Sequence, residues 1–361
     1  MHFGLVADQN PLEHRVPLSP YGVQELVANG HKVTVERGSG ALARFSDEDY
    51  LSAGAEIVYN TEEAWLRPDV LVRVKPPTED EAGLIRESQV FMSYVELPFL
   101  PTATREAYSA NSVSLLALEE MRDQFGRWPM LAPLSMICGR MIPQVAARYL
   151  ETFEGGRGKL LYGATGVAPC NVAVIGAGTL GLTACQMFQA LGTRVTVLDT
   201  DMDALDRIER DFFSHGFVTT LYSNQGNISR VVRGSDVIVA AIHCPQGVCP
   251  KLIRREHLAT MAPRAVIIDA SITQGGAVET SRPTTLADPT FIVDDIVHYC
   301  VPNITAAVAR TASRAVSSAL APYLLRFAEQ SLEDSIAAYR EFDSGMVVIN
   351  GRLRHKYEDI S

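Results

Sequence analysis

Short apolar runs alternate with segments of helical period along most of the chain. In the first 120 residues, runs at 3–7, 32–35, 70–74, 90–97 and 113–118 predict five strands. Apolar runs of this length suit parallel strands buried on both faces. Ser19-Pro20 predicts a helix start, with the serine as cap and the proline in the first turn, and Gly30 predicts its end. From about 131 to 153 the apolar spacing is helical, and Glu154-Gly155-Gly156-Arg157-Gly158 then reads as a boundary loop. A second series of strands follows at 172–175, 194–199, 218–221, 237–242, 266–269 and 291–293. Past Asn303 an alanine-rich helical run reaches about Ala328 and is expected to pack back on the first unit. No internal repeat of solenoid period is present.

The second series opens on Asn171-Val172-Ala173-Val174-Ile175-Gly176-Ala177-Gly178-Thr179-Leu180-Gly181. An apolar strand leads into a glycine turn. Leu180, Ala184, Met187, Phe188 and Leu191 then follow at helical spacing, and Asp199 ends the next strand. Gly176 permits the turn, Gly178 allows close backbone approach to a pyrophosphate, and Gly181 lets helix and strand pack closely. The helix N-terminus offers amides and a positive dipole end to phosphates. A carboxylate at Asp199 accepts from adenosine ribose hydroxyls and repels a 2′-phosphate, so the expected cofactor is NAD rather than NADP. The expected fold is therefore α/β, with two Rossmann-like domains and a cleft between them, the central one a doubly wound parallel-sheet NAD-binding domain. Its expected limits are residues 131–304. Residues 1–130 and 305–361 are expected to form the substrate domain, in an arrangement that reads as a dehydrogenase.

Composition narrows the class. The 361 residues are 47% hydrophobic and 20% charged, which suits a folded chain with a sizeable core. A formal charge of −10 argues against nucleic acid as a partner. No apolar stretch reaches transmembrane length and the start is no signal peptide, so no membrane partner is expected. Six cysteines in a chain this long suit reduced thiols in the cytoplasm better than a disulfide framework.

Specific motifs run end to end. They include Glu13-His14-Arg15-Val16, Phe45-Ser46-Asp47-Glu48-Asp49-Tyr50, Val74-Lys75, Gly139-Arg140-Met141 and Tyr222-Ser223-Asn224. Gln274-Gly275-Gly276, Glu279-Thr280-Ser281-Arg282-Pro283-Thr284-Thr285 and Val297-His298-Tyr299-Cys300 complete them. With these the chain resembles the alanine dehydrogenase family, related to the NAD-binding subunit of proton-pumping transhydrogenase. The resemblance implies a homo-oligomer, a hexamer with a dimer as the alternative, acting on a small amino or keto acid. It implies that Arg15 binds the substrate carboxylate, that Lys75 contacts the carboxylate or carbonyl oxygen, and that Tyr94 adjoins the substrate. It implies cofactor contacts from Ser135, Gly176, Gly178, Thr179, Leu180, Gly181, Asp199, Ser223, Arg282 and Asn303. Backbone at Ile242-His243 and from Asp269 to Thr273 is implied to line the nicotinamide.

Three positions depart from that family. Glu96, in Tyr94-Val95-Glu96-Leu97, stands where the family has its acid/base histidine. Thr273, in Ile272-Thr273-Gln274-Gly275-Gly276, replaces an aspartate that assists catalysis, and His243 occupies a usually aliphatic position. Three readings follow. Glu96, with His243 sharing proton traffic, serves as acid/base in an amino-acid dehydrogenase of altered substrate, provided burial raises its pKa. Alternatively, Glu96 binds a cationic amine in a reductive condensing enzyme of the opine or saccharopine kind. In the third reading the catalytic pair is lost and the protein is an NAD-binding sensor. The first is favoured, because both the carboxylate clamp and the dinucleotide site are retained.

Other signals carry less. His243, Cys244 and Cys249 fit no standard zinc spacing, so no metal is expected. Cys300 reads as a small buried hydrophobe. Glu119 and Glu120 read as adjacent strand-end carboxylates on opposite faces, and so not as a catalytic dyad.

Overall fold

A computed structural model describes residues 1–97, 100–212, 217–244 and 247–354. The chain divides into two compact units, Met1–Leu134 with Ala306–Ser361, and Ser135–Thr305.

In the first unit, strands β1 (His2–Leu5), β2 (Lys32–Glu36), β3 (Glu56–Val58), β4 (Val70–Val72), β5 (Val90–Ser93) and β6 (Ser114–Ala117) run parallel in the order β3-β2-β1-β4-β5-β6. In sequence terms this is the 3-2-1-4-5-6 order of a doubly wound sheet, whose ligand crevice lies beyond the carboxyl ends of the first and fourth strands. Alternate residues feed two cores. Phe3, Val33, Val35, Val70 and Val72 join one, while Leu71, Phe91 and Leu115 join the other with Trp65 and Tyr108. Burial on both faces explains why these strands read as continuous apolar runs.

The second unit holds β7 (Asn171–Ile175), β8 (Arg194–Asp199), β9 (Val218–Tyr222), β10 (Val237–Ala240), β11 (Val266–Asp269), β12 (Thr290–Val293) and β13 (Ile296–Tyr299). Their order is β12-β13-β11-β10-β7-β8-β9, parallel except for β12. Its six parallel strands repeat the 3-2-1-4-5-6 winding, with antiparallel β12 added at the edge, and place the crevice beyond β7 and β10. The chain then returns to the first unit, where β14 (Met346–Ile349) pairs antiparallel with β6 and β15 (Arg352–Leu353) with β14. The alanine-rich helix, Ala309–Ala328, lies in this unit. Its Val316, Leu320, Leu324 and Phe327 face the core shared with Phe3 and Leu18.

Several boundaries differ from the sequence expectation. The strand expected over 90–97 stops at Ser93, because Glu96 adopts a left-handed backbone with φ 49° and breaks the extended run. The strand expected over 113–118 ends at Ala117, and Leu118–Glu120 forms a 3-10 turn, so Glu119 and Glu120 are not strand residues. The helix expected over 131–153 ends at Tyr149. Ser19 precedes the helix Pro20–Ala28 without a side-chain cap, since its hydroxyl donates to Ser317 Oγ instead. β3, β13 and the β14–β15 hairpin carry too short or too mixed a pattern to read beforehand.

Candidate active site

Residues 10–19 form the loop that carries Arg15, and four bonds fix it. Glu13 N–H donates to the Asn10 carbonyl, and Val16 N–H to Ser313 Oγ at 2.9 Å. The Ser19 and Ser317 hydroxyls meet, and Tyr50 OH donates to the Leu18 carbonyl. Within the loop, Arg15 Nε and Nη2 each donate to one oxygen of Glu13 at 2.6 Å. This fork-on-carboxylate geometry fixes the guanidinium plane. Burial pushes the Glu13 carboxyl up, yet the bonds and charge of Arg15 outweigh it and hold the group below the usual carboxylate range. A guanidinium has five N–H donors, and this pair uses two.

Beyond β1 and β4 lies a cavity of about 60 Å³, open to solvent, at the winding reversal where the fold predicts a ligand crevice. Asp8, Glu13, Arg15, Ser39, Leu42 and Arg73 line it, with Val6 and Val74. Arg73 is only 2% exposed and interrupts an apolar run. Its guanidinium lies over the Trp65 ring and ion-pairs with Glu81 at 2.9 Å and Asp8 at 3.7 Å. Burial raises the Asp8 carboxyl despite that neighbour. Sequence reasoning missed Glu13, Arg73 and Asp8. The Glu13-x-Arg15 spacing and an arginine inside an apolar strand were the available signals.

Lys75 follows β4 and Glu96 follows β5, its parallel neighbour, so adjacent strand ends bring together residues 21 apart in sequence. Lys75 Nζ donates to Glu96 Oε1 at 3.2 Å, with side-chain exposures of 26% and 31%. Charges at Lys75 and Glu96 act on the Glu13–Arg15 pair, which places all four in one electrostatic cluster. Tyr94 is buried beside them, its OH donating to the Met130 carbonyl at 2.7 Å, and burial raises its pKa. Behind Glu96 stands Glu119. Its carboxylate accepts the Val95 and Glu96 N–H groups, and burial pushes its pKa up to about 7. Glu96 itself is part-exposed and ion-paired.

In the second unit, β7 runs into Gly176, whose φ of +110° suits glycine, and a Cβ at Gly181 would overlap the Gly176 carbonyl. The helix Thr179–Ala190 starts at Gly178 with no side-chain cap on its amides. A Cβ at Gly178 would meet no protein atom, so the backbone faces open space at the helix N-terminus. Asp199, at the end of β8, accepts the Ala177 N–H through one oxygen and the Asp201 N–H through the other. Open amides, a dipole end and a carboxylate at the neighbouring strand end fit a dinucleotide's pyrophosphate and ribose. Ser223 follows β9 and donates its N–H to the Asp199 carbonyl.

The loop after β10 is held on both sides of His243. Ser271 Oγ donates to the Ile242 carbonyl and accepts its N–H, and Gln274 makes the equivalent pair with Cys244. His243 itself is exposed between these clamps. Asp269 is 0% exposed, and its carboxylate accepts N–H groups of Ser271, Ala277 and Val278. Its side chain therefore pins the loop that holds Thr273 and Gln274. Thr273 lies part-buried in the 3-10 turn Ile272–Gln274. Arg282 is exposed, with its guanidinium 4.2 Å from the Phe291 ring centroid. Ser135, in the first turns of helix Leu131–Tyr149, and Asn303 are part-buried. Cys300 is buried against Ser281. Among the described residues no cluster of three or more His, Cys, Asp or Glu could hold a metal ion. No helix among them is long and apolar enough to cross a membrane.

Comparison with known proteins agrees with both units. Residues 4–138 match the family model of the alanine dehydrogenase/PNT N-terminal domain, and residues 142–356 that of its C-terminal domain. The alanine dehydrogenase of Halomonas elongata is 37% identical over 344 residues, covering 95% of this chain and 92% of the relative. A solved L-alanine dehydrogenase superposes with a TM-score of 0.92 at 34% identity, covering 100% of this chain and 99% of the other. The transhydrogenase from Sinorhizobium meliloti shares the fold, with a TM-score of 0.81 at 21% identity over 98% of this chain and 99% of the other. With both domains matched over nearly its whole length, the chain belongs to the alanine dehydrogenase/PNT family and is an NAD-dependent oxidoreductase of the amino-acid dehydrogenase kind.

Proposed function

We propose that the chain interconverts an amino acid other than alanine and its 2-keto acid, with Glu96 as acid/base in the first unit and NAD held by the second. The observation that carries this reading is the 3.2 Å Lys75–Glu96 pair at adjacent strand ends beside the Arg15 fork. Arg15, its plane set by Glu13, takes the substrate carboxylate. The bound nicotinamide supplies the hydride acceptor in one direction and the donor in the other. Glu96 accepts a proton from the substrate ammonium, so that the neutral amine can release hydride from its α-carbon. The resulting iminium adds water. Glu96 mediates the proton transfers that convert the adduct to keto acid and ammonia. A histidine would gain positive charge on protonation, whereas Glu96 becomes neutral, so Lys75 is the cation that remains beside developing negative charge. His243, held between its two clamps, is the second proton carrier in this reading.

A substrate other than alanine is supported by Glu96, Thr273 and His243, which stand where the family resemblance implies other residues. The same reading includes a homo-oligomer, hexameric by family likeness, which light scattering measures. It places the chain in the cytoplasm, where all six cysteines would remain the free thiols seen here.

The test is NADH consumption with a panel of 2-keto acids, each with ammonia and separately with basic amino acids. Turnover with ammonia on a keto acid other than pyruvate is expected. Turnover only with a second amine would replace this reading with a condensing enzyme. Glu96→Gln is expected to lower kcat by at least about 100-fold, the lower end for loss of a general acid/base. Retention of full activity across the pH range would remove Glu96 from the role.

A further inference from the structure

The apolar run over 90–97 should continue β5 as a strand, yet the strand ends at Ser93. Three residues later, Glu96 has φ 49°, a conformation uncommon outside glycine and unfavourable because Cβ crowds the backbone. Something must hold it there. The one group bonded to both successive amides is the Glu119 carboxylate. Oε1 accepts the Val95 N–H at 2.9 Å and the Glu96 N–H at 2.6 Å, and Oε2 accepts the Val95 N–H at 3.1 Å. In a continuing parallel strand those amides would not converge on one acceptor. Glu119 in turn is fixed by the 3-10 turn Leu118–Glu120 that ends β6, the strand hydrogen-bonded to β5.

We propose that Glu119 is a positioning residue: its carboxylate holds the Val95–Glu96 backbone in the conformation that presents the Glu96 side chain to Lys75. The catalytic consequence rests on the proposed role of Glu96, whereas the backbone consequence does not. Released from Glu119, the segment regains extended geometry, in which successive side chains alternate in direction. The Glu96 carboxylate then leaves Lys75. A glutamine replaces Glu119 only in part: with its oxygen in the Oε1 place it carries no charge, and its NH2 faces the Val95 N–H that Oε2 accepts at 3.1 Å.

The experiment combines a double-mutant cycle with amide exchange on the full-length chain. Glu119→Gln is expected to lower kcat at least about tenfold, with KM and NADH affinity changed less than about threefold. In the Glu96→Gln background the same change should add less than about twofold, because two residues acting as one unit are non-additive. Hydrogen exchange at the Val95 and Glu96 amides should quicken at least about tenfold in Glu119→Gln, with the rest of β5 and β6 unchanged. Glu120→Gln, in the same turn, should alter none of these. Losses that multiply across the cycle, or unchanged exchange at Val95 and Glu96, would overturn the proposal. If Glu96→Gln alone keeps full activity, the functional reading fails, and amide exchange then decides the positioning claim by itself. Should Glu119→Gln not fold, Glu119→Asp, which keeps the charge one methylene short of the amides, is read by the same measurements.

Discussion

Arg15, the proposed carboxylate-binding residue, shows how much of a side chain's behaviour is set by a neighbour. Its fork is bound by Glu13, whose side chain is fully buried. Glu13→Gln leaves the guanidinium without its counter-charge, and breaking a buried pair from one side costs about 3–5 kcal/mol. The expected outcome is a lower Tm and a raised KM for the keto acid, read by thermal melts and initial rates. Because Glu13 titrates below its unfolded value, its contribution is present above that value and is lost as pH falls through the folded one. The gap in Tm between wild type and Glu13→Gln should therefore shrink on acidification. Glu119 has the opposite sign. Its pKa is raised to about 7, so burial favours the folded state at pH below the unfolded value and the contribution fades as pH rises through about 7. Glu119→Gln, which cannot ionise, should gain in Tm relative to wild type between pH 5 and pH 8. A constant difference over that range, roughly three decades in proton concentration, would contradict the raised pKa.

At the scale of elements, the alanine-rich helix Ala309–Ala328 anchors the loop over residues 10–19, because Ser313 Oγ accepts the Val16 N–H next to Arg15. Ser313→Ala leaves that buried donor unpaired, a loss of about 1–3 kcal/mol. It should raise KM more than it lowers kcat, because it loosens the carboxylate clamp and leaves Lys75 and Glu96 in place. The glycine turn makes a different prediction. A Cβ at Gly181 would overlap the Gly176 carbonyl, so Gly181→Ala must part the helix Thr179–Ala190 from β7. Weakened NADH binding is expected by fluorescence titration, together with a lower Tm. Both elements were legible as a strand and a helix. The anchoring was not, since 297 residues separate Val16 from Ser313.

At the scale of the whole molecule, two units repeat one winding order, and each has its crevice at the reversal of that order. The second carries the dinucleotide fingerprint, so NADH at about 100 times its Kd should stabilise the fold by about 2.7 kcal/mol. On the proposed role of Asp199, accepting from the ribose hydroxyls and repelling a 2′-phosphate, NADPH at equal concentration should shift the melt less; equal shifts would refute that role. The sequence by itself determined the α/β class, the glycine turn with its acid, and the family, because periodicity, turn chemistry and local spacing are properties of contiguous residues. Lys75 and Glu96 were also legible as candidates, each following an apolar run. Only the tertiary structure decided that they form an ion pair, that Arg15 is clamped by Glu13, and that Glu119 bends the chain at Glu96. Those facts depend on which strand ends lie side by side. Parallel pairing of β4 with β5 and of β5 with β6 converts three distant carboxylates and cations into neighbours. Burial then raises the pKa of Glu119, a property that a glutamate in a sequence does not display.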